Sequence, residues 1–259
     1  MRVILFLVGL VLLTLGIGFA FRLPWALMCW PWEDGKLSYL FLASICASTA
    51  IPVIWIAWTK EYAGIKAGAL DFAVTYAGLL LTLVITYPLI QEWLPPVLAF
   101  TLCTASLLLN LWLYWWSKEL PFKYHEPVPL LIRFSFILFL IALVIVGTSL
   151  VLRLPHIFPW PLKPQTSIVF GWIYLGAAMY FLYGLLYPVW GNVKGQLAGF
   201  LAYDLVLIWP FIQHLSTVKS EHQWSLYIYL LVLIYSVLLS IYYLFIYPPS
   251  RLFFNRKIT

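Results

Sequence analysis

Charge is scarce in this sequence. Asp, Glu, Lys and Arg make up 9% of the 259 residues, hydrophobic residues make up 64%, and mean hydropathy is +0.97. An ordinary soluble domain is about a quarter charged. A water-soluble fold of this length keeps much of its surface exposed and cannot hide so much apolar area. The shortage of charge therefore excludes a water-soluble protein and makes lipid the natural solvent.

Cysteine and histidine are also few. Cys29, Cys46 and Cys103 form no CxxC pair and no metal-type spacing, which excludes a disulfide framework and a thiolate zinc module. Cys46 and Cys103 stand inside apolar runs, where a thiol packs as a small hydrophobe. His125, His156, His214 and His222 are the four histidines, and only His214 lies near membrane depth, too few for a two-histidine haem clamp. His156, His214 and His222 map to one side of the membrane with Cys29, Glu33, Asp34 and Glu221. All are possible ligand types. No two of the histidines stand at i, i+4 and HExxH is absent, so the spacing assigns no metal site and no cofactor.

Catalytic signatures are missing as well. There is no GxxxxGK[ST] loop, no GxGxxG after a strand, no Ser-centred GxSxG and no aspartate-rich DxxxD motif for a magnesium-bound diphosphate. No catalytic residue is assigned. The net charge of +6 comes from fifteen Lys and Arg scattered between apolar runs, which removes nucleic acid as a partner.

What the sequence does hold is long apolar runs, at roughly 3–21, 38–58, 67–87, 95–116, 129–152, 167–189, 195–215 and 224–247. Each reaches the ~20 residues needed to cross the hydrocarbon core, and the breaks carry Pro, Gly and charge. The first run follows Met1-Arg2 and ends at Arg22-Leu23-Pro24-Trp25 instead of a small-residue cleavage site, so it reads as a membrane helix and not a signal peptide. Trp and Tyr crowd the fourth and eighth runs, as at headgroup level. The expected fold class is an all-α integral membrane protein of eight transmembrane helices, with the lipid bilayer as its first partner.

An internal repeat runs through these spans. Ile4-Leu5-Phe6-Leu7 recurs as Ile137-Leu138-Phe139-Leu140. Arg22-Leu23-Pro24 recurs as Arg153-Leu154-Pro155, and Trp30-Pro31-Trp32 is echoed by Phe158-Pro159-Trp160. Each half re-enters the membrane after a serine, Ser38 or Ser167. The expectation is two parallel four-helix repeats, residues 1–128 and 129–259, since an even number of spans brings both halves in from the same side. Arg22, Pro24, Trp32, Arg153, Pro155 and Trp160 then mark two stiff outer loops facing each other.

Orientation follows from Lys and Arg. Arg2, Lys60, Lys66, Lys118, Lys123, Arg133, Lys194, Arg251, Arg256 and Lys257 fall on one side, and Arg22, Lys36, Arg153, Lys163 and Lys219 on the other. The excess places both termini in the cytoplasm, in what reads as a prokaryotic inner (plasma) membrane.

Pro159-Trp160-Pro161-Leu162, followed by Ser167 and Phe170-Gly171-Trp172, resembles a segment of uncharacterised bacterial multi-pass membrane proteins. The likeness covers fifteen to twenty residues and implies no activity. With Tyr174 and Tyr180, the stretch is also similar in composition to the tryptophan-rich sensory protein family. That family has five spans and no such duplication, and no residue roles carry over from it.

Ionisable groups at membrane depth are costly and mark sites. Asp71 in span three, Asp204 in span seven and Arg133 near the start of span five qualify. The sharp expectation is a polar cavity between the halves, lined by the aspartates with Arg133 as counter-charge. The plain one is that Arg133 snorkels and the aspartates pair or cap. Pro52 and Pro210 break helical hydrogen bonds within spans. The tyrosines of the last span keep no single face, which favours packing over a pigment site. Three classes stay open: a small-molecule transporter or permease with its site between the halves, a non-catalytic subunit or assembly factor with a membrane-protein partner or a second copy of itself, and, third, a membrane enzyme acting on a lipid or isoprenoid.

Overall fold

The computed structural model of the chain describes residues 1–86 and 96–250. Arg251, Arg256 and Lys257 of the charge count lie outside the described residues. Helices are α1 (Arg2–Ala20), a short α2 (Pro24–Leu27), α3 (Lys36–Thr59), α4 (Ile65–Thr86), α5 (Pro96–Ser117), α6 (Leu130–Val151), α7 (Pro164–Leu186), α8 (Trp190–His214) and α9 (Gln223–Ile241). All but α2 are long and apolar enough to cross a membrane, α9 together with its flanking turns. No strand occurs among the described residues. The protein is an all-α polytopic membrane protein. We call the end of the bundle that holds Met1 the near end and the other the far end.

Helix ends follow local chemistry. Pro24 and Pro164 open α2 and α7, where the missing N–H costs nothing. At the C-termini of α1 and α6 the two Arg-Leu-Pro stretches close their helices alike. Arg22 and Arg153 adopt left-handed φ of 54° and 57°. Leu23 N–H then bonds Gly18 O at 2.8 Å, and Leu154 N–H bonds Ser149 O at 2.9 Å. Both are wrapped six-to-one closures.

Four of the apolar runs start two or more residues late compared with their helices. The second, third, sixth and seventh spans, α3, α4, α7 and α8, begin at Lys36, Ile65, Pro164 and Trp190, where the runs begin near 38, 67, 167 and 195. The seventh shows why. Asn192 and Lys194 read as loop residues, yet both are buried inside the bundle.

In the packing, α1 lies on α3 and α6 on α7, while α3 lies on α8 and α7 on α4. The outer helices pair as α4 with α5 and α8 with α9. Close approach rests on small residues, as expected where lipid supplies no hydrophobic drive between helices. Gly195 and Gly199 of α8 lie against Trp55, Pro52 and the Ser48 carbonyl of α3. Gly147 of α6 and Gly171 of α7 each lie against the other's carbonyl. The Pro52 ring thus sits in a glycine notch, and both Pro52 and Pro210 are held within continuous helices.

The main core lies between the halves toward the far end and is aromatic. Phe41 of α3 meets Phe170 of α7 with ring centroids 4.3 Å apart. Trp30, from the first connection, packs on Phe170 at 5.9 Å, and Phe158, from the α6–α7 connection, packs on Phe41 at 5.3 Å. Each far-end loop therefore covers a helix of the other half.

Candidate functional site

Polar side chains enter the bundle in three places. At the near end, Glu61 sits between α3 and α4 and is 0% exposed. Its Oε2 accepts the backbone N–H of Lys123 at 2.9 Å, and its carboxyl also takes a backbone hydrogen bond from Tyr124, which pins the connection between α5 and α6. Gly191 makes the room, since a Cβ there would stand 3.0 Å from that same oxygen. Burial raises the Glu61 carboxyl above its ordinary value, and the two backbone donors oppose the shift without cancelling it.

Two lysines flank this connection from inside the bundle. Lys66 of α4 donates to Leu120 O at 2.7 Å and lies 5.0 Å from the centroid of the Phe122 ring. Lys194 of α8 lies 4.7 Å from the Tyr124 ring. They are 6% and 7% exposed. A cation held over an aromatic face keeps part of the stabilisation lost with water. The connection offers one ring to each lysine, two residues apart.

The second place is a track along α8. Asn192 and Gln196 stand one turn apart, donating to the carbonyls of Tyr183 and Tyr187 and of Tyr180 on α7 and just beyond it. Their acceptor oxygens, Asn192 Oδ1 and Gln196 Oε1, are buried without a hydrogen-bond partner among the described residues. Further along, Asp204 is 1% exposed. Its Oδ2 accepts Ser236 Oγ of α9 at 2.6 Å, and Oδ1 is buried and unpartnered. Beside it Tyr203 shares a closed cluster of three hydroxyls with Tyr174 of α7 and Tyr229 of α9, the Tyr174–Tyr203 contact being 3.2 Å. Asp204 lies about 21 Å along α8, near the middle of that span, at 1.5 Å rise per residue. Buried oxygens with free lone pairs at this depth attract a hydrogen-bond donor such as water or an ammonium group, a proton, or a metal cation.

The structure does not gather Asp71, Asp204 and Arg133. Asp71, about 9 Å along α4, faces Gly176 of α7 and accepts Thr75 Oγ1 at 3.5 Å, so it lies on a contact between the halves. Asp204 points to α9, inside the second half. Arg133 Nε is buried with no hydrogen-bond partner among the described residues. Neither aspartate forms an ion pair with it among those residues.

No known protein family, curated protein or solved structure matches this chain.

The third place is the far end. Arg22 and Arg153 set the helix closures described above, and Pro24 and Pro155 follow them. Trp32 stands edge-on to Trp30 at 5.3 Å. Trp160 donates from Nε1 to Ser38 Oγ of α3 at 3.0 Å. Asp34 accepts Trp30 Nε1 at 2.9 Å and Thr166 Oγ1 of α7 at 2.5 Å. These loops are therefore clamps joining the two halves. Near them, His156, Glu221 and His222 come together. The sequence puts all three on one side of the membrane among seven possible ligands, and the fold selects them from that set.

Glu61, Lys66, Lys194, Asn192, Gln196 and the tyrosine cluster are absent from the sequence-derived site. For the lysines a signal existed. Ala63-Gly64-Ile65-Lys66-Ala67 is echoed 128 positions later by Gly191-Asn192-Val193-Lys194-Gly195, the same offset as Trp30-Pro31-Trp32 to Phe158-Pro159-Trp160. In that register Asp71 falls opposite Gly199 and Asp204 opposite Tyr76.

Proposed function

We propose that this protein is a small-molecule transporter or permease, built as parallel repeats 1–128 and 129–259, whose polar track along α8 ends at Asp204. One observation carries the reading: a carboxyl oxygen with no partner, buried at mid-span. Such a group is costly and occurs where a proton, a cation or a polar substrate passes. The acceptors Asn192 Oδ1 and Gln196 Oε1 lead toward it from the near end. A two-fold arrangement is supported by the matching helix pairs. It is also supported by the reciprocal contacts Trp30–Phe170 and Phe158–Phe41, the pattern a two-fold contact produces. The excess of Lys and Arg favours a cytoplasmic near end.

Cysteine accessibility tests this. In a chain with Cys29, Cys46 and Cys103 replaced by serine, single cysteines are placed at Asn192, Gln196 and Tyr203. Each is exposed to a small hydrophilic thiol reagent in vesicles. The proposal expects all three to react, faster near the entrance. If all three are inert while Glu126→Cys at the exposed rim reacts, α8 is dry and the transporter reading falls.

A second reading, a non-catalytic subunit, has one specific observation in its favour. α5 packs along α4 and leaves Trp112, Trp115 and Trp116 exposed, a surface that a partner helix would cover. Co-purification of a protein at fixed stoichiometry would favour it.

A further inference from the structure

We propose that His156, Glu221 and His222 form a binding site for a divalent transition metal of the zinc class at the far end. One ligand atom from each lies within 4.8 Å of the other two. The three come from separate parts of the chain. His156 is on the α6–α7 connection, while Glu221 and His222 are on the turn Ser220–His222 that leads into α9.

The orientation of His222 is what a metal ligand requires. Its ring is buried, and Nδ1 lies 2.8 Å from the Phe158 carbonyl. A carbonyl only accepts, so Nδ1 carries a proton, and in the neutral ring Nε2 keeps its lone pair. Metal-bound histidines are held in this way, with the remote N–H on a backbone oxygen. That Nε2 faces Glu221 Oε1 at 3.6 Å. Two ligands of a tetrahedral zinc stand roughly 3.3 Å apart, given bonds of about 2.0–2.1 Å. A nitrogen lone pair and a carboxylate oxygen facing each other at this spacing are placed to share a cation.

His156 completes the set. Its φ is 61°, a left-handed conformation that non-glycine residues adopt at a cost. Its ring centroid is 5.1 Å from that of His222. Two imidazoles and one carboxylate are a zinc ligand set that leaves a fourth position for water. His156 and Glu221 are exposed, so that position opens to solvent. Copper(II) and nickel(II) suit the same ligands. The ion ties the α6–α7 connection to the start of α9, a junction already made by Ser225 Oγ on Ile157 O at 2.5 Å. His214 is outside the cluster, bonded to Pro159 O and Thr217.

The test is zinc titration by calorimetry of the purified, chelator-treated chain in detergent. The wild type should take up one zinc per chain and melt at higher temperature with it. His156→Ala and Glu221→Gln change exposed groups and leave the Phe158 anchor intact. Each should weaken binding roughly tenfold or more, and together they should abolish it, while His214→Ala leaves it unchanged. Wild type that takes up no zinc, or a double variant that binds like the wild type, overturns the proposal.

Discussion

Replacing Gly199 with alanine probes the contact between the halves most sharply. The new Cβ would stand 2.6 Å from the Ser48 carbonyl oxygen and 2.9 Å from Pro52 Cγ. Comfortable contact is about 3.5–4.0 Å. Both obstacles belong to the helix α3 backbone or to a proline ring fixed to it, so neither can rotate away. The helices must part by about 1 Å, and overpacking of this kind costs roughly 1–3 kcal/mol. Alanine also favours the helix over glycine, by about 0.8–1 kcal/mol, which hides part of the cost. Gly68→Ala on α4 supplies the control, because nothing lies within 4 Å of its added Cβ. The difference between the two variants isolates the clash. At about 2–4 °C per kcal/mol for a chain of this size, Gly199→Ala should melt several degrees below Gly68→Ala. The 14 tryptophans provide the fluorescence signal for thermal unfolding in detergent. Equal midpoints would show that α3 and α8 do not meet at Gly199.

Three further outcomes follow from named contacts. Burial holds the Glu61 carboxyl above its ordinary 4.5. Its contribution to stability is complete below that value and is lost as pH rises through the raised one. The melting midpoint should therefore fall as pH climbs above about the ordinary carboxylate range, and Glu61→Gln should flatten the slope; an unchanged slope refutes the assignment. Asp34→Ala removes the acceptor shared by Trp30 and Thr166 and should cost roughly 1–3 kcal/mol in chemical denaturation, whereas no loss would mean the clamp is idle. Ser236→Ala leaves the buried Asp204 without its donor and should lower stability by roughly 1–3 kcal/mol. Asp204→Asn, which still offers an acceptor to Ser236, should cost less than Ser236→Ala in the same assay.

The spans were legible because lipid imposes a long apolar run on every crossing, and the eight runs coincide with eight helices. Their starts were less legible where a polar residue is buried. Lys194 and Asn192 look like loop residues until Tyr124 and the carbonyls at the end of α7 are placed beside them. The Arg-Leu-Pro closures were readable as a recurring motif, and their common left-handed φ gives it a local cause. The site was legible only in part. Asp204 stands out by charge and depth, but its partner Ser236 lies on another helix. Glu61 gives no sign in sequence that it anchors a connection some sixty residues away. Tyr174, Tyr203 and Tyr229 belong to three helices, and only the packing brings their hydroxyls together. His156 and His222 were readable as possible ligands on one side of the membrane, but only the packing shows which of those ligands meet.

Native mass spectrometry of the gently extracted protein tests the transporter reading most directly. The account predicts a small molecule or ion retained by the wild type and absent from Asp204→Asn, with the variant melting close to the wild type. A ligand retained equally by both, or a wild type that carries only a protein partner at fixed stoichiometry, would contradict it.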